Sequence, residues 1–169
     1  MRIPVPIVAC AAVVIIAGGA GLVRGAQPLP AGNPSSSSSS DPIVVSDAYV
    51  RASAPPTDAA AAYFTVFNTT GTPDRLETVI SGAGASAVLH VEENGQMVVS
   101  AAGPVIPAHG SLVFSTGGGH VMIEQLYGPV RAGQSVSLEL TFQNAGVVDV
   151  TAPVIALGAP APTSGGGTS

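Results

Sequence analysis

The sequence has few charged and few aromatic residues, and both shortages narrow the fold class. Charged residues make up 9% of the 169 residues and aromatic residues 4%, with no tryptophan. A helical bundle needs charge on its exposed faces, whereas 21 glycines and 15 prolines suit short strands joined by turns. The composition therefore favours an all-β domain.

Positive charge is especially scarce. Lysine is absent, and the segment that could fold, from Asp41 to Leu157, carries three arginines against all ten acidic residues, a net charge of −7. A protein that binds nucleic acid needs a basic patch to neutralise phosphates. The sequence therefore excludes nucleic acid as a partner.

Cysteine is almost absent as well. Cys10 is the single cysteine, and it lies within an apolar run near the N-terminus. It has no partner for an intrachain disulfide, and one thiol cannot build a cysteine-based zinc or iron–sulfur site. Any metal site in this chain must use other ligands.

Residues 1–26 contain a long hydrophobic run, Ile3–Val23, which is uncharged and has an arginine at each end. Such a run predicts a secretory signal peptide or an uncleaved N-terminal membrane anchor. The small residues Gly18–Ala20 suit cleavage, and lipidation at Cys10 is a third alternative. In each case we expect an extracytoplasmic protein of the periplasm or cell envelope, either secreted or membrane-anchored.

Two segments of biased composition flank the predicted domain. Residues 27–42 are rich in proline and serine and include Ser35–Ser40, while residues 158–169 are rich in glycine, proline, serine and threonine. Neither segment has an apolar periodicity to bury, so we predict a flexible linker and a disordered tail. The folded domain is then residues 43–157.

Hydrophobic and polar residues alternate in several short segments of this domain, most clearly in Val136–Gln143. Further strands are predicted at Ile43–Arg51, Ala61–Asn68, Leu76–Ser81, Ala87–Val91, Met97–Ser100, Leu112–Ser115, Val121–Gln125 and Val147–Val154. Turn-forming residues such as Glu93-Asn94-Gly95 separate them. Eight or nine strands at this spacing predict an antiparallel sandwich or a small barrel.

Histidine and methionine occur close together in this domain. His120 and Met122 are two residues apart, so in a strand both side chains emerge on one face, with Cα atoms about 6–7 Å apart. His90 and Met97 flank the turn at Glu93–Gly95, and a hairpin there would return Met97 to the neighbourhood of His90. The four side chains are candidates for a single site.

The chemistry of such a ligand set favours copper. Thioethers are soft ligands that suit Cu(I) and are poor for zinc, calcium or magnesium, while imidazole accepts copper in either oxidation state. Without a thiolate, a blue-copper electron-transfer centre is excluded, so binding and transfer of the metal are favoured over redox work. The alternative is a metal-free cell-surface interaction module, in which methionine fills space and histidine lies at the surface.

Several segments together resemble one known family. They are Val45–Pro56, Ala61–Asn68, Pro73–Leu76, Val88–His90, Ile106–Ser111 and Gly118-Gly-His-Val-Met122. In this order they resemble the periplasmic Cu(I) chaperone family known as PCuAC, over essentially all of residues 43–154. The Gly-Gly-His-x-Met element is the most specific of them.

The resemblance implies a cupredoxin-like antiparallel β-sandwich of Greek-key type that binds one Cu(I) at an exposed His/Met site and is not an enzyme. It implies delivery of copper to a copper-accepting protein, such as a cytochrome c oxidase subunit with its binuclear copper centre, or to another copper chaperone. If the N-terminal segment is uncleaved, the protein also contacts the membrane. General copper buffering stays open as an alternative role.

The family's ligand pattern maps onto His90, Met97, His120 and Met122. Met97 departs from the pattern, because only six residues separate it from His90 where the family has about ten. Family members often carry another methionine two positions later, where this chain has Val99. Met97 and Val99 share a strand face, so Met97 could still reach the site, but it is the least secure of the four ligands.

Overall fold

The computed structural model describes residues 41–53 and 56–162, which all belong to one compact unit. The predicted signal or anchor over residues 1–26, Cys10 within it, and the linker up to residue 40 lie outside the described residues. The same is true of residues 163–169 in the predicted tail. No helix within the described part of the chain is long and apolar enough to cross a membrane.

The described residues form ten strands and no helix. The strands are β1 (Ile43–Arg51), β2 (Ala59–Asn68), β3 (Asp74–Ser81), β4 (Gly84–Glu93), β5 (Gln96–Val99), β6 (Val105–Ile106), β7 (Ser111–Phe114), β8 (His120–Leu126), β9 (Ser135–Phe142) and β10 (Gly146–Ile155). Nine of them coincide with the predicted strands to within a few residues. The tenth, β6, is only two residues long and is therefore too short to show an alternation.

The strands are hydrogen-bonded in the order β5-β4-β8-β2-β1-β10-β9-β3-β6, and β7 also pairs with β2. β2 is the centre of this arrangement, because β1 lies along one of its edges while β8 and β7 share the other. One pairing, β1 with β10, is parallel. The remaining pairings are antiparallel, as the alternating segments and short turns predict.

Alternate residues of nearly every strand meet in one hydrophobic core. The largest fully buried side chains include Phe64 of β2, Leu76 of β3, Ile123 of β8 and Phe142 of β9. Burying each such side chain stabilises the fold by roughly 1.5–3 kcal/mol. The predicted all-β, sandwich-like fold is confirmed, and it leaves one face of β5, β4, β8 and the first half of β2 outside the core.

Two buried polar side chains fasten loops to this core. The carboxylate of Asp74 accepts hydrogen bonds from the backbone N–H groups of Asn144 and Ala145 at 2.9 and 3.0 Å, which holds the turn between β9 and β10. The Asn68 amide donates to the carbonyl of Thr72 and accepts from the N–H of Thr70. Both groups serve the fold and lie outside the face that carries the histidines.

Candidate metal site

His90 on β4 and His120 on β8 are directly opposite each other across an antiparallel pair of strands. Their ring centroids are 4.9 Å apart and the ring planes differ by 20°, so the imidazoles are stacked. Both side chains are partly exposed. We call them the histidine pair, and we call the side of β5, β4, β8 and β2 on which they stand the ligand face.

Met122 stands on the ligand face two residues after His120. It lies opposite Val88 of β4 and Ala61 of β2 and is partly exposed. Its neighbours Val121 and Ile123 are fully buried in the core. The prediction that His120 and Met122 emerge on one face of a strand is therefore confirmed.

Met97 reaches the ligand face through a two-residue hairpin. Asn94 and Gly95 have φ values of 54° and 76°, the left-handed conformation at both central positions that a type I′ turn requires. Glu92 lies opposite Met97, and His90 lies opposite Val99. Met97 thus shares the face of the histidine pair but is displaced from it by two residues along the strand, and its side chain is 41% exposed.

The register places the two methionines on opposite sides of the histidine pair. Met97 and Met122 are two strands apart and offset by four residues, so strand spacing separates their Cα atoms by about 16 Å. A metal ion at the histidine pair is within easy reach of Met122, whereas Met97 must extend toward it. The register therefore ranks Met97 last among the four predicted ligands.

The ring of His120 is oriented by the backbone. Its Nδ1 lies 3.3 Å from the carbonyl oxygen of Gly118. Because a carbonyl oxygen only accepts, Nδ1 must carry the proton, and the lone pair is then on Nε2. Metal-binding histidines commonly donate their second ring nitrogen to a carbonyl in this way, which fixes the tautomer.

The other imidazole has an unpaired nitrogen. His90 Nδ1 is buried and has no hydrogen-bond partner. A buried polar atom without a partner costs free energy and calls for an explanation such as a bound ion. A soft metal ion, for which the Met122 thioether on the same face is also a suitable ligand, would supply such a partner. Within the described ranges, no three His, Cys, Asp or Glu side chains converge as a metal-binding group.

A stacked pair of tyrosines lies beside the histidine pair. Tyr63 on β2 has its ring centroid 6.4 Å from that of His120 and 5.0 Å from that of Tyr49 on β1. A bulge at Asp47, with φ of 53°, shifts the register of β1 so that Tyr49 stands opposite Tyr63. Both tyrosines are buried.

The structure also brings in residues that the sequence did not single out. Arg51 donates a hydrogen bond to the hydroxyl of Thr116, and that hydroxyl is 3.1 Å from the Tyr49 hydroxyl. Thr116 belongs to the turn that precedes β8 and includes Gly118. The only feature of the sequence that could have drawn attention to Arg51 is the scarcity of arginine, because the domain contains just three.

His109, the third histidine, lies elsewhere. It is exposed in the turn between β6 and β7, with φ of 51°, and its backbone N–H donates to the carbonyl of Thr70. The sequence predicts the same, because His109 lies within the turn-forming segment Pro107-Ala-His-Gly110. Of the carboxylates near the predicted ligands, Glu92 stands beside Met97 and Glu124 lies two residues beyond Met122, both on the ligand face.

An all-β domain with two imidazoles and two thioethers on one sheet face is the arrangement expected of PCuAC domains, and comparison with known proteins confirms that resemblance. A family model described as "Putative lipoprotein LpqE-like" matches residues 43–154, and the chain belongs to this LpqE-like family. It is 33% identical over 138 residues to "Putative lipoprotein Lxx21020" of Leifsonia xyli subsp. xyli (strain CTCB07), covering 79% of this chain and 82% of that protein.

Solved structures agree on the fold. The copper-bound PCuAC domain from PmoF2 is 25% identical with a TM-score of 0.60, covering 68% of this chain and 93% of that domain. The solution structure of CuI-DR1885 from Deinococcus radiodurans is 26% identical with a TM-score of 0.60, covering 75% of this chain and 86% of that one. These similarities confirm the cupredoxin-like β-sandwich.

Proposed function

We propose that this protein is an extracytoplasmic copper carrier that binds one Cu(I) and transfers it to a partner. His90, His120 and Met122 hold the ion, and Met97 serves as a fourth, weaker ligand. The protein carries the ion as cargo and catalyses no reaction. The observation that carries this proposal is the register of β4 and β8, which sets the two imidazoles face to face with Met122 beside them.

The donor types favour Cu(I) over zinc. Two imidazoles and one or two thioethers form a soft set without thiolate or carboxylate, and methionine is a poor zinc ligand. The Nδ1–H of His120 leaves the lone pair of that ring on Nε2, and Nδ1 of His90 has no hydrogen-bond partner that would compete with a metal ion. The copper-bound PmoF2 domain and CuI-DR1885, each at least 25% identical to this chain, support the same choice of metal.

Exposure of the ligand face supports transfer. Because His90, His120 and Met122 are only partly buried and Met97 is 41% exposed, an acceptor's ligands can approach the ion directly. We propose that the acceptor is a copper-accepting protein such as a cytochrome c oxidase subunit during assembly of its copper centre, or another copper chaperone. Transfer to a defined acceptor distinguishes this role from general copper buffering.

The proposed location is the outer side of the cytoplasmic membrane. The apolar run Ile3–Val23 supports export, and the lipoprotein description of the family and of the Leifsonia relative supports attachment to the envelope. Protease treatment of intact spheroplasts tests this proposal. Digestion of the domain from outside is expected, and a domain protected in the cytosol would contradict it.

Competition against a chromophoric Cu(I) chelator under reducing conditions tests metal binding. The purified full-length protein is expected to retain about one equivalent of Cu(I) and to bind zinc far more weakly. The variant His90→Ala/His120→Ala should lose this copper, whereas His109→Ala, a matched change at the exposed third histidine, should keep it. If the parent protein retained no copper against the chelator, the metal-free interaction module would be favoured instead. If it bound zinc as tightly as Cu(I), the proposed choice of metal would be contradicted.

A further inference from the structure

The turn before β8 is built so that one carbonyl faces His120. The backbone N–H of Gly118 donates to the carbonyl of Ser115, and the N–H of Ser115 donates to the carbonyl of Gly119, each at 2.9 Å. This doubly closed turn presents the Gly118 carbonyl to His120 Nδ1. The orientation of the ring therefore depends on where this turn is held.

The side chain of Thr116, which belongs to this turn, is held by two residues of β1. The Thr116 hydroxyl lies 3.2 Å from Nη2 of Arg51, which donates to it, and 3.1 Å from the Tyr49 hydroxyl. The Arg51 guanidinium also lies over the Tyr49 ring, 5.9 Å from its centroid. A cation above an aromatic face and a charge-assisted hydrogen bond both favour this single geometry.

The same guanidinium fastens the chain that follows β10. Its Nη1 donates to the carbonyl oxygens of Leu157 at 2.6 Å and Ala159 at 2.9 Å. Arg51 thus connects this segment to the turn before β8, with its two terminal nitrogens directed to different parts of the chain. Both terminal nitrogens of Arg51 therefore donate to oxygens of the protein itself.

We propose that Arg51 and Thr116 are positioning residues for His120. They hold the turn so that the Gly118 carbonyl keeps the proton of His120 on Nδ1 and leaves the Nε2 lone pair for a ligand. The effect on the ring belongs to the copper-free protein, and only the effect on affinity rests on the proposed copper-binding function.

Two variants test this proposal in the full-length protein. Thr116→Val removes the hydroxyl and keeps the side-chain shape, and Arg51→Gln removes the guanidinium. The matched controls are Thr78→Val, at an exposed position of β3, and Arg131→Gln, which removes the same charge at an exposed position outside the strands. Arg51→Gln also removes the hydrogen bonds to the chain after β10, so this variant could fold poorly. Thr116→Val leaves those hydrogen bonds in place and keeps the test decisive in that case.

The first measurement is the tautomer of His120 in the copper-free protein, read from long-range proton–nitrogen NMR correlations of the neutral ring. The Nδ1–H form is expected to dominate in the parent protein and in both controls, and to decrease in Thr116→Val and Arg51→Gln. The second measurement is the Cu(I) dissociation constant. Substituting a group that hydrogen-bonds to a metal ligand typically weakens metal binding by 10- to 100-fold. Because Arg51 and Thr116 act on His120 only through the Gly118 carbonyl, we expect the Cu(I) dissociation constant of these variants to increase by a smaller factor, about three- to tenfold.

The outcomes separate the two proposals. A changed tautomer in the variants supports the positioning role even if the parent protein binds no copper, in which case only the copper function fails. A tautomer equal to that of the controls would overturn the positioning role, and so would weaker copper binding without any change in the tautomer.

Discussion

His90 and His120 are register partners on adjacent antiparallel strands, and their imidazoles are stacked with centroids 4.9 Å apart. The backbone of β4 and β8 therefore fixes the separation of the two rings before any metal is present. Preorganisation of this kind reduces the ordering cost of binding. The contribution of each neighbouring side chain to copper binding therefore depends on its position relative to this pair.

Replacing His120 or Met122 by alanine should weaken Cu(I) binding at least about tenfold each, which corresponds to about 1.4 kcal/mol. Met97→Ala should cost less, because its register places it two residues away from the partner of His90. Chelator competition measures the affinities, and thermal unfolding should show that each variant still folds, since these side chains lie outside the core. Greater damage from Met97→Ala than from Met122→Ala would reverse this ranking.

Val99 offers a way to strengthen the site. It stands directly opposite His90 on the ligand face and is 59% exposed. Val99→Met would place a thioether closer to the histidine pair than the thioether of Met97. Because a thioether is a soft ligand that suits Cu(I), we expect the Cu(I) affinity to rise about fivefold or more. Val113→Met on β7, which is 54% exposed, is the matched control and should leave affinity unchanged. An equal effect of both substitutions would argue against the proposed ligand geometry.

Gly119 allows β8 to approach β4 closely at the histidine pair. A Cβ atom at this position would lie 3.1 Å from the carbonyl oxygen of His90 and 3.2 Å from Cδ1 of Phe114. Gly119→Ala should therefore move the start of β8, lower the free energy of unfolding by about 1–3 kcal/mol and weaken copper binding. Denaturant unfolding and chelator competition measure the two effects.

Gly128→Ala is the control for this substitution, because its added Cβ would meet no atom within 4 Å. It should leave both stability and copper affinity close to those of the parent protein. If Gly119→Ala behaves like Gly128→Ala, the close approach of the strands does not matter for the site.

Much of the fold could be predicted because its signal is local. The alternation in β9 and the Asn94-Gly95 turn each specify their own structure within a few residues. The parallel pairing of β1 with β10 could not be predicted in this way, because it joins residues more than 100 positions apart. The two-residue strand β6 is too short for a periodic signal.

Part of the candidate site could also be predicted from the sequence, whereas contacts between distant segments could not. The spacing of His120 and Met122 determines their shared face, and the turn at Glu93–Gly95 brings His90 and Met97 into consideration. The resemblance to PCuAC proteins implies the same four residues. The contacts of Arg51 with Thr116, Leu157 and Ala159 depend on three segments that meet only in the folded chain. The displacement of Met97 from the histidine pair depends on the strand register after the hairpin, which the sequence left open.

X-ray absorption spectroscopy of the Cu(I)-loaded protein tests the central claim most directly, because it counts the ligand atoms around the metal. We predict a copper shell of about two nitrogen and one or two sulfur scatterers, from His90, His120, Met122 and, for the second sulfur, Met97. His109→Ala should leave this shell unchanged. A shell without sulfur, or one that keeps both nitrogens in His90→Ala/His120→Ala, would contradict the proposed site.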